Sequence, residues 1–181
     1  MKHQSILSYQ NEGRLMNGLN FFKPYLKQPM LSEDINKFML EALNMADIAF
    51  LNNEVPVGAI IVQDGIVIGK GFNQVISHTS VSSHAEINAI NDASQNIKNY
   101  RLNNCDVYVT LEPCHMCAKA IVDARINHLF FGAMEPKTGA VQSIDNFLDH
   151  NHLNHKVSYS GGHMKEPSAE LLKKFFQSKR G

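Results

Sequence analysis

The chain has 181 residues, 17 Lys and Arg against 17 Asp and Glu, and 44% apolar content. That length and composition fit one α/β domain with a sizeable core, and a formal charge of zero excludes holding nucleic acid by overall charge, leaving a local basic patch to do so. No stretch approaches the roughly 20 apolar residues of a membrane span or the apolar core of a signal peptide, and three cysteines, an odd number, argue against a disulfide framework and for a reducing cytoplasm.

Residues 1–31 are polar apart from the island Phe21-Phe22-Lys23-Pro24-Tyr25-Leu26, and are read as an N-terminal extension, a candidate for disorder, ahead of a domain over 32–181. Ser32 followed by Glu33 and Asp34 is a helix start, and Ile35, Phe38, Met39, Ala42, Met45, Ala46 and Ala49 continue a helical stripe that ends near Asn52-Asn53. Strand-like runs at 57–63 and 66–72 flank Asp64-Gly65, a strong hairpin signal. After a polar run, Ile87, Ile90, Ala93 and Ile97 repeat at helical spacing from His84 onward, with Ser82 or Ser83 as the expected cap. A strand at 106–111, a helix at 113–124 and a buried strand at 128–132 form a unit that should be parallel and right-handed. A last helix over 167–178 turns Leu171, Leu172, Phe175 and Phe176 inward. Helices on both faces of a mixed sheet follow.

His84-Ala85-Glu86, separated by 26 residues from Pro113-Cys114-His115-Met116-Cys117, carries the chemistry. Cys114 and Cys117 are three apart at a helix start, so both sulfurs share one face, about 5–6 Å apart at Cβ, where the helix dipole favours thiolates. One imidazole and two thiolates suit one Zn²⁺ per chain and leave its fourth tetrahedral position for water, whereas a structural site closes all four. Glu86 lies about 200° round the helix from His84, poorly placed as a ligand and well placed to touch that water. A redox Cys-x-x-Cys would need neither His84 nor Glu86. Cys105 as a fourth ligand is excluded by distance, because residues 105–111 extend over roughly 20 Å.

This His-x-Glu and Pro-Cys-x-x-Cys pattern resembles the zinc-dependent nucleobase deaminases. Together with Glu54-Val55-Pro56-Val57-Gly58-Ala59, Gly71-Phe72-Asn73, Tyr100-Arg101-Leu102, Leu111-Glu112 and Lys137-Thr138-Gly139-Ala140, it makes residues 33–180 similar to the bacterial tRNA-specific adenosine deaminases. The resemblance implies a cytidine deaminase-like three-layer α/β/α fold with a central mixed five-stranded sheet. It also implies hydrolytic deamination of the wobble adenosine in a tRNA anticodon loop to inosine, with release of ammonia. It assigns His84, Cys114 and Cys117 to zinc, Glu86 to proton transfer, and Asn73, Glu54, Val55, the backbone of Ala85, Glu135 and Lys137 to the substrate. The implied partners are an anticodon stem-loop, an arginine tRNA foremost, and a second copy of the chain in a homodimer. Glu135 stands where the family has aspartate, and Ser82-Ser83 where it has Thr-Ala, a change expected to preserve capping. Val75 and Ile76 fall in a loop that borders RNA in the family.

The alternative on the same scaffold is a deaminase of free bases or nucleotides, of the guanine or cytosine type. Among the remaining residues, His150, His152 and His155 share no helix or strand period that would assemble a second metal site. His115 is read as a solvated side chain or a border of the substrate channel. Lys173, Lys174, Lys179 and Arg180 form either a solvated face or a phosphate-binding cluster. Ile121, Val122, Phe175 and Phe176 are read as core first and dimer surface second.

Overall fold

The computed structural model of the protein describes residues 32–180, so the expectation for the 1–31 extension lies outside the described residues. The helical stripe becomes α1 (Ser32–Leu51), with Phe38, Met39, Ala42, Leu43, Ala46 and Ala49 buried and Glu33 and Asp34 in the first turn, where the dipole favours acidic groups. The hairpin joins β1 (Gly58–Gln63) to β2 (Ile66–Phe72) in antiparallel register. Asp64 and Gly65 have φ of 49° and 78°, the left-handed pair that makes Asp-Gly a favoured hairpin turn.

The chain continues through α2 (Ala85–Ile97), β3 (Cys105–Leu111), α3 (His115–Asp123), β4 (His128–Ala133), a 3-10 turn (Phe147–Asp149), β5 (Ser158–Gly161) and α4 (Lys165–Ser178). The sheet order is β2-β1-β3-β4-β5. β1 runs antiparallel to β2 and β3, whereas β3, β4 and β5 are parallel, giving the expected mixed five-stranded sheet.

Alternation along the strands splits the core in two. On one face α1 packs Phe38, Met39 and Ala42 against Ile60, Val62, Tyr108 and Phe130, with Tyr108 stacked on Phe130 at 4.7 Å. α4 contacts β3, β4 and α1, so it shares that face. On the other, Ala85, Ala89 and Ala93 of α2 and Ala118, Ile121 and Val122 of α3 cover Ala59, Ile61, Val107, Val109, Leu129 and Phe131. α2 lies so close to β2 that a Cβ on Gly71 would meet Ala85 O and Ala89 N at 2.3 Å. This contact seats the start of α2 beside the end of β2. Pairing of Gly58 with Phe72, Ala59 with Val109 and Leu111 with Ala133 gathers the segments at 54–57, 73–84, 112–117 and 134–143 at one sheet end.

Four local expectations are corrected. The N-cap of α2 is His84, with no side-chain cap of its own; Asn73 Oδ1 instead accepts from the Ala85 N–H at 2.9 Å, while Ser83 bonds His78 and Ser82 bonds Ser80. The cysteine helix starts at His115 with Cys114 as its N-cap. The last helix starts at Lys165 and leaves Phe176 45% exposed, although Phe175 is buried, as are Ile121 and Val122. β5 has no fully buried residue, only Tyr159 packed partly buried against the core, so periodicity did not reveal it.

Candidate metal centre and active site

Three ligand candidates reach one point because each is placed by a helix start. His84 is the N-cap of α2, Cys114 is the N-cap of α3, and Cys117 lies in the first turn of α3. His84 Nδ1 is 3.8 Å from Cys114 Sγ and 3.5 Å from Cys117 Sγ. Tetrahedral coordination at ordinary zinc–sulfur and zinc–nitrogen lengths requires nitrogen–sulfur separations of about 3.6 Å, so these residues fit a small cation between them. Among the described residues this is the one group of three or more His, Cys, Asp or Glu side chains close enough to hold a metal ion. Thiolate and imidazole together select zinc-like cations over magnesium or calcium.

The electrostatics agree with the geometry. The hydrogen bond from Cys117, with His84 beside it, holds Cys114 down at about 3 against burial. The same bond and burial push Cys117 up, and a divalent cation would convert both to thiolates. Hydrogen bonding to Cys114 pushes His84 up despite burial. Glu86 is 4% exposed, and burial pushes its carboxyl above the usual range. It interacts with Cys117 and is not one of the three residues of the metal group.

A cavity of about 350 Å³ opens over this floor. Of the residues singled out from sequence, His84, Glu86, Cys114, Glu54, Val55, Asn73 and Glu135 line it. Cys117, Ala85 and Lys137 do not: Cys117 is fully buried, Ala85 is buried with its N–H given to Asn73, and Lys137 is exposed with its N–H donated to Glu135 Oε1 at 2.9 Å. Asn73 is held through its carbonyl oxygen, which leaves its amide nitrogen as the donor available to a ligand. Val57, Val75, Ile76, Leu111, Glu112 and Thr138 complete the lining. The resemblance had placed Val75 and Ile76 in a loop bordering RNA, and Val57, Leu111, Glu112 and Thr138 lie within the segments that carry it, yet nothing in the types of these four marked them as pocket residues.

Glu54 does more than line the wall. Its two oxygens accept the N–H groups of Ser77 at 2.7 Å and Ile76 at 3.2 Å, tying down the 73–83 rim. Burial works to raise its carboxyl, but these backbone donors together hold it below the usual range. Glu112 acts under the opposite rim: burial again opposes ionisation, and the Ser143 hydroxyl with the Gln142, Glu135 and Ser143 N–H groups outweighs it.

The other polar candidates are placed apart from the floor. His155 donates to Ile126 O at 2.7 Å, and His150 and His152 form a tilted ring pair at 5.3 Å; none belongs to a metal group. His115 pairs with Asp145 at 2.8 Å on the surface. Lys173, Lys174 and Arg180 are exposed on or just beyond α4, whereas Lys179 bonds Asn53 and lies over Phe175 at 5.1 Å. No helix among the described residues is long and apolar enough to cross a membrane.

Comparison with known proteins agrees with this architecture. The MafB19-like deaminase family matches residues 33–180. The tRNA-specific adenosine deaminase of Haemophilus influenzae is 45% identical over 82% of this chain and 87% of its own length; that of Aquifex aeolicus is 43% identical over 79% and 94%. A solved structure from a study of A-to-I editing by tRNA:A34 deaminases superposes with a TM-score of 0.73 at 42% identity, covering 75% of this chain and 98% of its own. A guanine deaminase from Nitrosomonas europaea, at 19% identity, TM-score 0.68, and covering 77% and 83%, shares the fold. A family match that starts with α1 and ends with α4, and relatives this similar over nearly their whole length, place the chain in the MafB19-like deaminase family, among the tRNA-specific adenosine deaminases.

Proposed function

We propose that this protein converts the wobble adenosine of a tRNA anticodon loop to inosine, with one Zn²⁺ per chain held by His84, Cys114 and Cys117. The observation that carries the reading is the buried Glu86 against a His-Cys-Cys group at the floor of a cavity of about 350 Å³. Zinc held by these three residues would supply Lewis acidity, enough to let water attack near neutral pH. Glu86 receives a proton from the attacking water and passes it to ring N1; it then takes the proton of the new C6 hydroxyl and delivers it to the exocyclic nitrogen, whose bond to C6 breaks as the C6 carbonyl forms. Overall, water adds its oxygen to C6, the exocyclic nitrogen leaves as ammonia, and adenosine becomes inosine. The Asn73 amide donates to the purine or its ribose, and the apolar walls at Val55 and Val57 exclude water around a single base. That base must be flipped out of the anticodon stack to enter.

Glu135, one atom longer than the family aspartate, lines the cavity and caps its own loop through the Lys137 N–H. Lys137, Lys173, Lys174 and Arg180 are read as phosphate contacts, the catalytic unit as 32–181, the assembly as a homodimer, and the compartment as the cytoplasm. An arginine tRNA is the expected substrate. Incubation with an anticodon stem-loop bearing A at the wobble position should yield inosine there, with little or no turnover of free adenosine, guanine or cytidine. Faster turnover of a free base than of the stem-loop would move the chain to the small-molecule deaminases.

A further inference from the structure

We propose that Glu112 is a positioning residue: it pins the 134–143 rim to the metal-binding loop and thereby sets affinity for the nucleic-acid substrate. Glu112 is 2% exposed and directly precedes Pro113 and Cys114. Its Oε1 accepts the N–H groups of Val141 at 3.1 Å, Gln142 at 2.7 Å and Ser143 at 2.8 Å, while Oε2 accepts the Glu135 N–H at 3.0 Å and the Ser143 hydroxyl. One carboxylate therefore gathers both ends of the stretch from 135 to 143. Unpaired amides in such a place are costly, and hydrogen bonds to a charged acceptor are stronger than those to a neutral one.

One further pairing makes the link between rim and floor mutual. Gly139 pairs with Cys114 as an isolated antiparallel bridge, in which the Ala140 N–H donates to Pro113 O at 2.8 Å. A Cβ on Gly139 would meet Glu112 Oε2 at 2.5 Å, so the loop closes over the carboxylate only with glycine there. The catalytic floor does not use Glu112, whose oxygens are taken up by backbone and hydroxyl donors. What it controls is the place of Glu135 and Thr138 in the wall. The inference rests on the reading that this wall touches the substrate.

Glu112→Gln separates the two ends of the clamp. Three N–H donors fix the carbamoyl oxygen on the Oε1 side, which turns the amide nitrogen toward the Glu135 N–H. Amide exchange at Glu135 should then rise about tenfold or more, while Val141, Gln142 and Ser143 stay within about threefold of wild type. Zinc content should remain near one per chain by elemental analysis, and KM for the stem-loop should rise about tenfold with kcat within about threefold. Ser143→Ala, which removes only the hydroxyl, should show a smaller shift of the same kind and serves if Glu112→Gln does not fold. Unchanged exchange at Glu135, zinc loss with an equal fall in kcat, or an unchanged KM despite faster exchange overturns the assignment. If the wild-type protein does not deaminate the stem-loop, the activity reading fails, and the exchange pattern alone decides the clamp.

Discussion

The floor of the cavity and its rims are built by different means. The floor is made of side chains at helix starts, His84, Glu86, Cys114 and Cys117, whose positions follow from short motifs and from α2 and α3 packed on the sheet. The rims are loops, at 73–83 and 134–143, and each is held by one buried carboxylate, Glu54 on one side and Glu112 on the other. Chemistry thus depends on rigid elements, where angstrom-level placement matters most. On the proposed function, choice of substrate falls to loops, which can differ between relatives without disturbing the floor.

The strongest way to break this division is at the floor. Glu86→Gln should keep the fold and the zinc yet lower the rate on the stem-loop by about 10²–10⁴-fold, the span of general acid–base catalysis, whereas Cys114→Ala should lose the zinc as well. Single-turnover rates with elemental analysis check both, and near-normal activity in Glu86→Gln would make that residue a bystander.

At the rim the expected effect is intermediate and falls on stability. Glu54→Ala leaves the Ile76 and Ser77 N–H groups without their acceptor and should cost about 1–3 kcal/mol, measured by denaturant unfolding. The carboxyl of Glu54 is held below its ordinary value of 4.5. Its contribution is therefore present above that pH and is lost as pH falls below it, because the unfolded chain takes up the proton first. Glu54→Gln should accordingly lose less stability than wild type as the pH is lowered through and below 4.5.

The smallest effect belongs outside the cavity. Lys173→Ala with Lys174→Ala should leave kcat unchanged and weaken the dependence of stem-loop binding on salt, by roughly 0.7 in the log–log slope for each phosphate no longer neutralised. An unchanged slope would make α4 a solvated face only.

The floor was legible in sequence because its parts are local. A ligand at a helix start and two cysteines one turn apart need only their own segment to be recognised, and Asp64-Gly65 announced a hairpin whose turn takes left-handed φ values at both residues. The capping of α2 was not legible, because Asn73 reaches Ala85 across the chain between them and the nearer Ser82 and Ser83 were the reasonable expectation. β5 escaped because Ser158–Gly161 forms a short edge strand with no fully buried residue. Phe176 misled because its type fits a buried face, whereas its position on α4 turns it outward.

The sequence by itself determined the His84, Cys114 and Cys117 group that could hold a metal ion, its spacing, the neighbouring Glu86 and the succession of most helices and strands. These follow from short-range stereochemistry: helical and strand periods, turn conformations and the preferences of ligand atoms. Only the tertiary structure decided that Glu54 and Glu112 would commit their carboxylates to distant backbone amides, that Ala85 and Lys137 would stay out of the wall, and that four separated segments would meet at one sheet end. A buried carboxylate must find donors wherever the fold brings them, and that choice depends on contacts no local pattern encodes.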